Sequence, residues 1–318
     1  MNYDVFKETM MEALKEAFPE CKVEQRPVTK NNGLVLDGVT IQEPESCIAP
    51  TVYLNHMYED YQRGNSVEEI VEHLQEAFAK GPEVGVPVLT REAAEKNLYA
   101  VVVNAAANEE LLRETPHRRI EDLAVVPRFR VGIEDGNASF RVTNELLQSL
   151  HMTKEEVLEL AIRNSEEEGY TCRPMAAVLR EMMGGMEPEM EEEFLAGGPQ
   201  IFVLTNGSKV NGATALACKS VLAEAGEKVG EDFYILPSSI HEVLLVPAST
   251  SELPFLKEMV HEVNSTEVAP DEVLSDNVYR YSVKDRKFEI AREEVQKQVL
   301  EELVEKESKE NKVHARHA

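Results

Sequence analysis

KVEQRPVTKNNGLVLDGVTI, residues 22–41, is the stretch on which the fold class turns. Two dipeptides, Asn32-Gly33 and Asp37-Gly38, divide it into extended runs over 22–30, 34–36 and 39–41, the first interrupted by Pro27. Asn-Gly and Asp-Gly supply the positive φ angles that tight hairpins need, so the pattern predicts a three-stranded meander. Strands linked this way pair antiparallel. That points to an α+β fold with mainly antiparallel sheets and packed helices, not to a doubly wound one.

Helices flank the meander. Before it, Phe6, Met10, Ala13, Leu14 and Ala17 recur at steps of three and four until Pro19. That spacing predicts an amphipathic N-terminal helix. After it, Leu54, Met57, Tyr58 and Tyr61 form an apolar stripe ended by Gly64. Val67, Ile70, Val71, Leu74 and Phe78 form a second, ended by Gly81, with Ser66 and Glu69 placed for a capping box. The pair reads as a helical hairpin sharing one core face.

Working outward, a short helix is expected over 91–96 and strands over 98–103, 123–131 and 139–142, the last two joined by a turn at 134–137. Thr153 and Glu156 cap a helix through Val157, Leu158 and Ala161. Residues 184–199 carry four glycines, two prolines and five glutamates with no basic residue, and read as a linker or exposed loop. Beyond them come a strand (201–205), a helix (213–225) and two strands (233–236, 243–246). A helix striped by Leu253, Leu256, Val260 and Val263, a strand pair near Val278 and a last helix with Val295, Val299 and Leu303 complete the chain. The expected organisation is an α+β region over 1–183, the 184–199 linker, an α+β region over 200–290, and a helix with a frayed tail over 291–318.

The 318 residues are 42% hydrophobic and 29% charged, enough for a sizeable core, and the 6% aromatic content leaves that core to aliphatic side chains. The net charge is −26. Residues 151–199 hold twelve acidic against four basic side chains, so the acidity belongs to the body of the protein. Such a surface repels phosphate backbones and anionic lipids, so neither nucleic acid nor membrane is expected as a partner. Cys21, Cys47, Cys172 and Cys218 lack CxxC spacing, which argues against zinc and for reduced thiols. The N-terminal helix carries Asp4, Glu8, Glu12 and Glu16, unlike the basic start of a signal peptide, so the expected compartment is the cytoplasm.

Four groups of residues invite chemistry. Gly207-Ser-Lys-Val-Asn-Gly-Ala-Thr214 follows a strand and opens a helix, as a phosphate loop does, which makes Gly207, Lys209, Gly212 and Thr214 candidate nucleotide or anion contacts. Ala213 stands where that motif needs its lysine. The structural alternative is a turn in which Asn211 caps the helix and Gly212 allows close packing. Second, Leu236-Pro-Ser-Ser-Ile-His-Glu242 gathers Ser238, Ser239, His241 and Glu242 as candidate catalytic residues. In an extended strand Ser239 and His241 share a face at about 6–7 Å, beyond hydrogen-bond reach, and Glu242 points away, so a triad needs a partner from elsewhere. The alternative is a polar turn whose serines bond backbone groups.

Third, His241-Glu242 and His261-Glu262 each lack the second histidine of HExxH, and His56, His73, His117, His151, His314 and His317 are scattered, so no metal site and no cofactor is expected. Fourth, Arg113, His117, Arg118 and Arg119, near Arg128, Arg130 and Arg141 in sequence, form a local basic exception that could take an anion or an acidic partner, or pair with Glu109, Glu110, Glu114, Glu121 and Asp122.

The chain resembles an uncharacterised bacterial family, domain of unknown function 5688. The resemblance lies in Pro50-Thr-Val-Tyr-Leu-Asn-His-Met-Tyr-Glu-Asp-Tyr-Gln-Arg-Gly64, Leu112-Arg-Glu-Thr-Pro-His-Arg-Arg-Ile-Glu-Asp-Leu123, Asn211-Gly-Ala213, Leu236-Pro-Ser-Ser-Ile-His-Glu242 and Val273-Leu-Ser-Asp276. More remotely, residues 142–164 look like a segment of YtpQ-type proteins. The resemblance implies a source in anaerobic gut bacteria and, for some members, a link to mobile elements. It brings no catalytic residue, cofactor or substrate.

The expectation is therefore a non-catalytic interaction protein with a protein partner, in a sharper form an acidic decoy for a nucleic-acid-binding protein. Its rivals are a hydrolase built on the Ser238–Glu242 segment and an anion or nucleotide binder at Gly207–Thr214.

Overall fold

A computed structural model of the protein describes residues 1–44, 49–79, 90–131, 139–182, 200–237 and 239–293. Cys47, the expected turn at 134–137, the 184–199 segment, Ser238 and the expected C-terminal helix with its tail from residue 294 on lie outside them. The described chain is α+β, and every strand pairing with a defined register is antiparallel. It divides into two compact units. One comprises Met1–Arg118 and Val126–Asn164, the other Arg119–Val125 and the residues from Ser165 onward.

The first unit begins with α1 (Tyr3–Ala17), capped by Asn2, whose side chain accepts from the Val5 N–H at 3.0 Å. Its stripe Phe6, Met10 and Leu14 is fully buried. β1 (Lys22–Thr29), β2 (Val35–Gln42) and β3 (Thr51–Tyr53) form a sheet in that order. Pro27 is tolerated because β1 is an edge strand, where a missing N–H breaks no ladder. Asn32 (φ 58°) and Gly33 (φ 72°) make the turn between β1 and β2, as expected.

Asp37-Gly38 does not turn, because β2 runs straight through it. Gly38 lies opposite both Arg26 and Tyr53, and a Cβ there would come within 2.6 Å of Val28 Cγ2 and 3.2 Å of the Arg26 carbonyl. The glycine serves close strand approach, and the third strand comes from beyond residue 50.

α2 (Leu54–Gln62) and α3 (Val67–Ala79) form the expected helical hairpin. The capping box is complete: Ser66 N–H donates to Glu69 Oε2 at 2.7 Å, and Glu69 N–H donates to Ser66 Oγ at 3.2 Å. Leu54, Met57, Val67, Ile70 and Val71 close over Phe6, Met10, Leu14, Val39 and Ile41 in one apolar cluster. Each large side chain buried there contributes roughly 1.5–3 kcal/mol.

α4 (Arg91–Asn97), capped by Thr90, leads into β4 (Leu98–Asn104), then α5 (Glu109–Glu114), β5 (Arg118–Ile120), β6 (Leu123–Arg130) and β7 (Ser139–Arg141). These strands make a sheet ordered β4-β6-β5 with β7 on β6. α6 (Asn144–Leu150) and α7 (Lys154–Glu167) follow, the latter opened by the expected Thr153–Glu156 box at 2.7 and 3.2 Å.

The second unit is built on a sheet ordered β13-β12-β10-β11-β9-β8. Its strands are β8 (Tyr170–Pro174), β9 (Phe202–Asn206), β10 (Phe233–Leu236), β11 (Val243–Pro247), β12 (Tyr279–Ser282) and β13 (Lys287–Ile290). Alternation along the central strands buries Phe233, Ile235, Val243 and Leu245 completely. α8 (Met175–Met182) follows β8, and β8 pairs with β9 from Tyr170↔Asn206 to Pro174↔Phe202. The helix expected at 213–225 starts later. Gly212–Ala217 is a buried 3₁₀ segment, Cys218 is extended, and α9 runs Lys219–Val229. α10 (Leu253–Thr266) lays Leu253, Leu256 and Val260 on Leu236, Val246 and Val278. No element is expected from the sequence at α5, β5, α6, β8 or α8, each of which has eight residues or fewer.

Candidate functional site

Three family-like stretches, around Asn211, His241 and Ser275, meet in the second unit. β9 ends at Asn206, and the chain then folds into a tight loop in which Asn206 Nδ2 donates to the Val210 carbonyl (2.8 Å) and Ser208 Oγ to Asn206 Oδ1 (3.2 Å). Lys209 and Asn211 both take φ 56°, which asparagine tolerates better than most residues. Asn211 does not cap the next segment with its side chain. Its backbone N–H donates instead to His241 Nδ1 at 3.2 Å. Gly212 does allow close packing: a Cβ there would collide with the His241 carbonyl and Thr205 Oγ1.

These contacts join the loop to residues 237–242. Thr205 Oγ donates to the His241 carbonyl (2.8 Å), and Ala213 N–H to the Ile240 carbonyl (3.1 Å). On its other side the same segment pairs with residues 269–275. Ile240 N–H donates to the Glu272 carbonyl (2.9 Å), Ser239 and Val273 form an isolated antiparallel bridge, and Ser275 N–H donates to the Pro237 carbonyl (3.3 Å).

His241 is held at both ring nitrogens. Because Nδ1 accepts from Asn211, the ring proton sits on Nε2, which donates to Glu272 Oε1 at 3.2 Å. The Ser239 hydroxyl is buried and accepts from the His241 main-chain N–H at 2.9 Å. Its bond is therefore to backbone, not to imidazole. Glu242 makes no hydrogen bond or ion pair among the described residues, and Ser238 lies outside them. The carboxylate that meets His241 is Glu272, 31 residues away, which the sequence reading did not single out.

In the Gly207–Thr214 loop, several of the N–H groups that would cradle a phosphate are engaged internally. Those of Lys209, Asn211, Ala213 and Thr214 donate to Asn206, His241, Ile240 and Asn211 respectively. Thr214 is buried, at 1% exposure.

A second polar node centres on Asp122, which the sequence marks only as a possible partner of the arginines. The Asp122 carboxylate accepts from Ser275 Oγ (2.6 Å), Asn277 Nδ2 (3.0 Å) and Tyr279 OH (2.7 Å). Tyr279 is fully buried, and that burial, followed by the charge on Asp122, pushes its phenol far above the ordinary range. Asn264 Nδ2 extends the node to the Ser275 carbonyl (3.0 Å) and Asp276 Oδ1 (2.8 Å). Both Asp122 and Ser275 fall in stretches that carry the family resemblance, the one signal that could have marked them.

Of the basic candidates, Arg113 pairs with Glu109 at 3.1 Å and Arg118 with Glu159 at 3.8 Å, while His117 Nδ1 meets the Thr115 carbonyl at 2.9 Å. Arg119 is exposed and makes no ion pair among the described residues. Cys218 is buried, and desolvation followed by the nearby Glu166 charge pushes its thiol up to about 12, so it is inert as a nucleophile. Among the described residues, no group of three or more His, Cys, Asp or Glu side chains could hold a metal. His314 and His317 lie outside them.

No described helix is long and apolar enough to cross a membrane. No curated protein and no solved structure matches the chain. Nothing in these comparisons supports the likeness of residues 142–164 to YtpQ-type proteins. The model of a family of unknown function, DUF5688, matches residues 3–283, which takes in every stretch quoted above for the resemblance and both polar nodes. The chain belongs to DUF5688.

Proposed function

We propose that this protein works by binding a protein partner and not by making or breaking bonds. The observation that supports this most is the engagement of His241. A general base needs a lone pair aimed at a substrate proton, and here the Nδ1 lone pair faces the Asn211 N–H while Nε2 carries a hydrogen toward Glu272. Ser239, the nearest hydroxyl in sequence, bonds the main chain. The same groups read naturally as a clasp that fixes three chain segments and gives the surrounding surface a defined shape. The working compartment we propose is the bacterial cytoplasm, in keeping with the free thiols of Cys21, Cys172 and Cys218.

The test is a fluorophosphonate probe, which labels only activated serines, applied to the wild-type protein and to Ser239→Ala. Equal, background labelling of both is the expected result. In parallel, partners captured from the native host should be retained by His241→Ala, provided that variant melts as a folded protein. Labelling that vanishes in Ser239→Ala, or ester turnover abolished in His241→Ala, would replace the binding reading with the hydrolase one.

A further inference from the structure

The β6–β7 pair of the first unit places arginines where an antiparallel sheet normally avoids them. The register sets Arg128 directly opposite Arg141, Phe129 opposite Phe140 and Arg130 opposite Ser139. Directly opposed residues project to the same face, so Arg128, Arg130, Ser139 and Arg141 share one side. The other side carries Phe129 and Phe140, whose rings stack at 5.1 Å.

Like charges placed opposite one another destabilise a strand pair unless something neutral or anionic lies between them. In a chain of net charge −26, carboxylates are abundant, yet neither Arg128 nor Arg141 forms an ion pair with a described residue. The face is also preorganised. Arg128 Nε donates to Ser139 Oγ (3.0 Å) and its Nη2 to the Ser139 carbonyl (3.1 Å), which fixes the guanidinium plane. Tyr99 OH donates to the same Ser139 Oγ at 2.9 Å, and Arg130 lies over the Tyr99 ring at 4.5 Å. Ser139 takes the Nε–Nη2 edge of the Arg128 fork, which leaves Nη1 outside that pair of bonds.

We propose that this face is a binding site for a small phosphate-type dianion, held between the guanidinium groups of Arg128 and Arg141. Arginine forks match phosphate oxygens in pairs, and two opposed forks match a dianion in charge. A small ligand is favoured over a nucleic acid on electrostatic grounds. The repulsion from the protein's overall negative field grows with the ligand's total charge, whereas the local attraction is limited to the few phosphate oxygens that reach the arginines.

The test is calorimetric titration of the full chain at fixed ionic strength with inorganic phosphate, phosphoserine and a short single-stranded oligonucleotide, with chloride as control. Saturable binding of inorganic phosphate or phosphoserine is expected, and which of the two binds tighter tells a free phosphate from a phosphomonoester ligand. Arg141→Gln should weaken binding about tenfold or more while leaving the melting curve in place. Arg141→Lys should recover only part of the loss, because an ammonium lacks the fork. Arg128→Gln serves as the second variant, read the same way with its own melting curve. No saturable binding of either phosphate probe, affinity unchanged in both Gln variants, or tighter binding of the oligonucleotide would each overturn the proposal.

Discussion

The helical hairpin with its small sheet, residues 1–79 of the first unit, and the polar seam of the second unit are held together by opposite means. In the former, Phe6, Met10, Leu14, Leu54 and Ile70 close one apolar cluster, and its helix caps bond partners only three residues away. In the latter, the defining bonds join residues 30, 31 and 157 positions apart: Asn211 to His241, His241 to Glu272, and Asp122 to Tyr279. The apolar cluster tolerates any side chains of suitable volume. The seam uses particular donors and acceptors in one register, and where its groups are buried, as Ser239, Ser275 and Tyr279 are, the loss of a partner costs about 1–3 kcal/mol.

That contrast can be broken most forcefully at Phe6. Phe6→Ala removes a fully buried ring packed against Tyr58 and Tyr61, at centroid distances of 5.2 and 5.4 Å. It should cost about 3–5 kcal/mol in denaturant unfolding. A loss under about 1 kcal/mol would mean that the cluster is not the support of this unit.

Gly212→Ala probes the seam itself. The added methyl has no room between Thr205 and the His241 carbonyl, so a loss of about 1–3 kcal/mol is expected, with faster amide exchange at Ala213, whose N–H bonds Ile240. An unchanged exchange rate would show that the loop and the 237–242 segment are not tightly coupled.

The smallest effect concerns acid. The Glu69 carboxyl is held below its ordinary value by the Ser66 backbone N–H first and then the Ser66 hydroxyl. A depressed carboxyl stabilises the folded state above the ordinary carboxylate pKa of about 4.3, and that contribution disappears as pH falls through the lower folded-state value. Melting temperatures of the wild-type protein and Glu69→Gln should therefore differ near neutrality and converge on acidification. A constant offset would show that the capping carboxylate is not the titrating group.

Much of the architecture was legible at the level of single elements. The stripes of α1, α2, α3 and α10 and the boxes at Ser66 and Thr153 are each complete within a single element, so their signals are local. The Asp37-Gly38 reading went astray because the dipeptide is ambiguous. Glycine permits a turn, but it equally permits two backbones to approach, and here Val28 and Arg26 occupy the space a side chain would need. The Asn211 side-chain cap went the same way, since the left-handed conformation that asparagine tolerates was used to aim a backbone N–H at His241. Of the candidate site, His241 and Ser239 stood out in the sequence, while Glu272 and Tyr279 did not, and Asp122, expected to pair with the arginines, bonds Ser275, Asn277 and Tyr279 instead.

The amino-acid order alone determined the α+β class, the helix boundaries set by caps and the apolar faces, because each depends on spacings of two to four residues that a 3.6- or 2-residue period records. The tertiary structure alone decided which carboxylate meets His241, that Asp122 gathers Ser275, Asn277 and Tyr279, and that Arg128 faces Arg141. Such partners are fixed by strand order and register, and a linear pattern of apolar and polar residues does not carry the distance between segments that fold side by side.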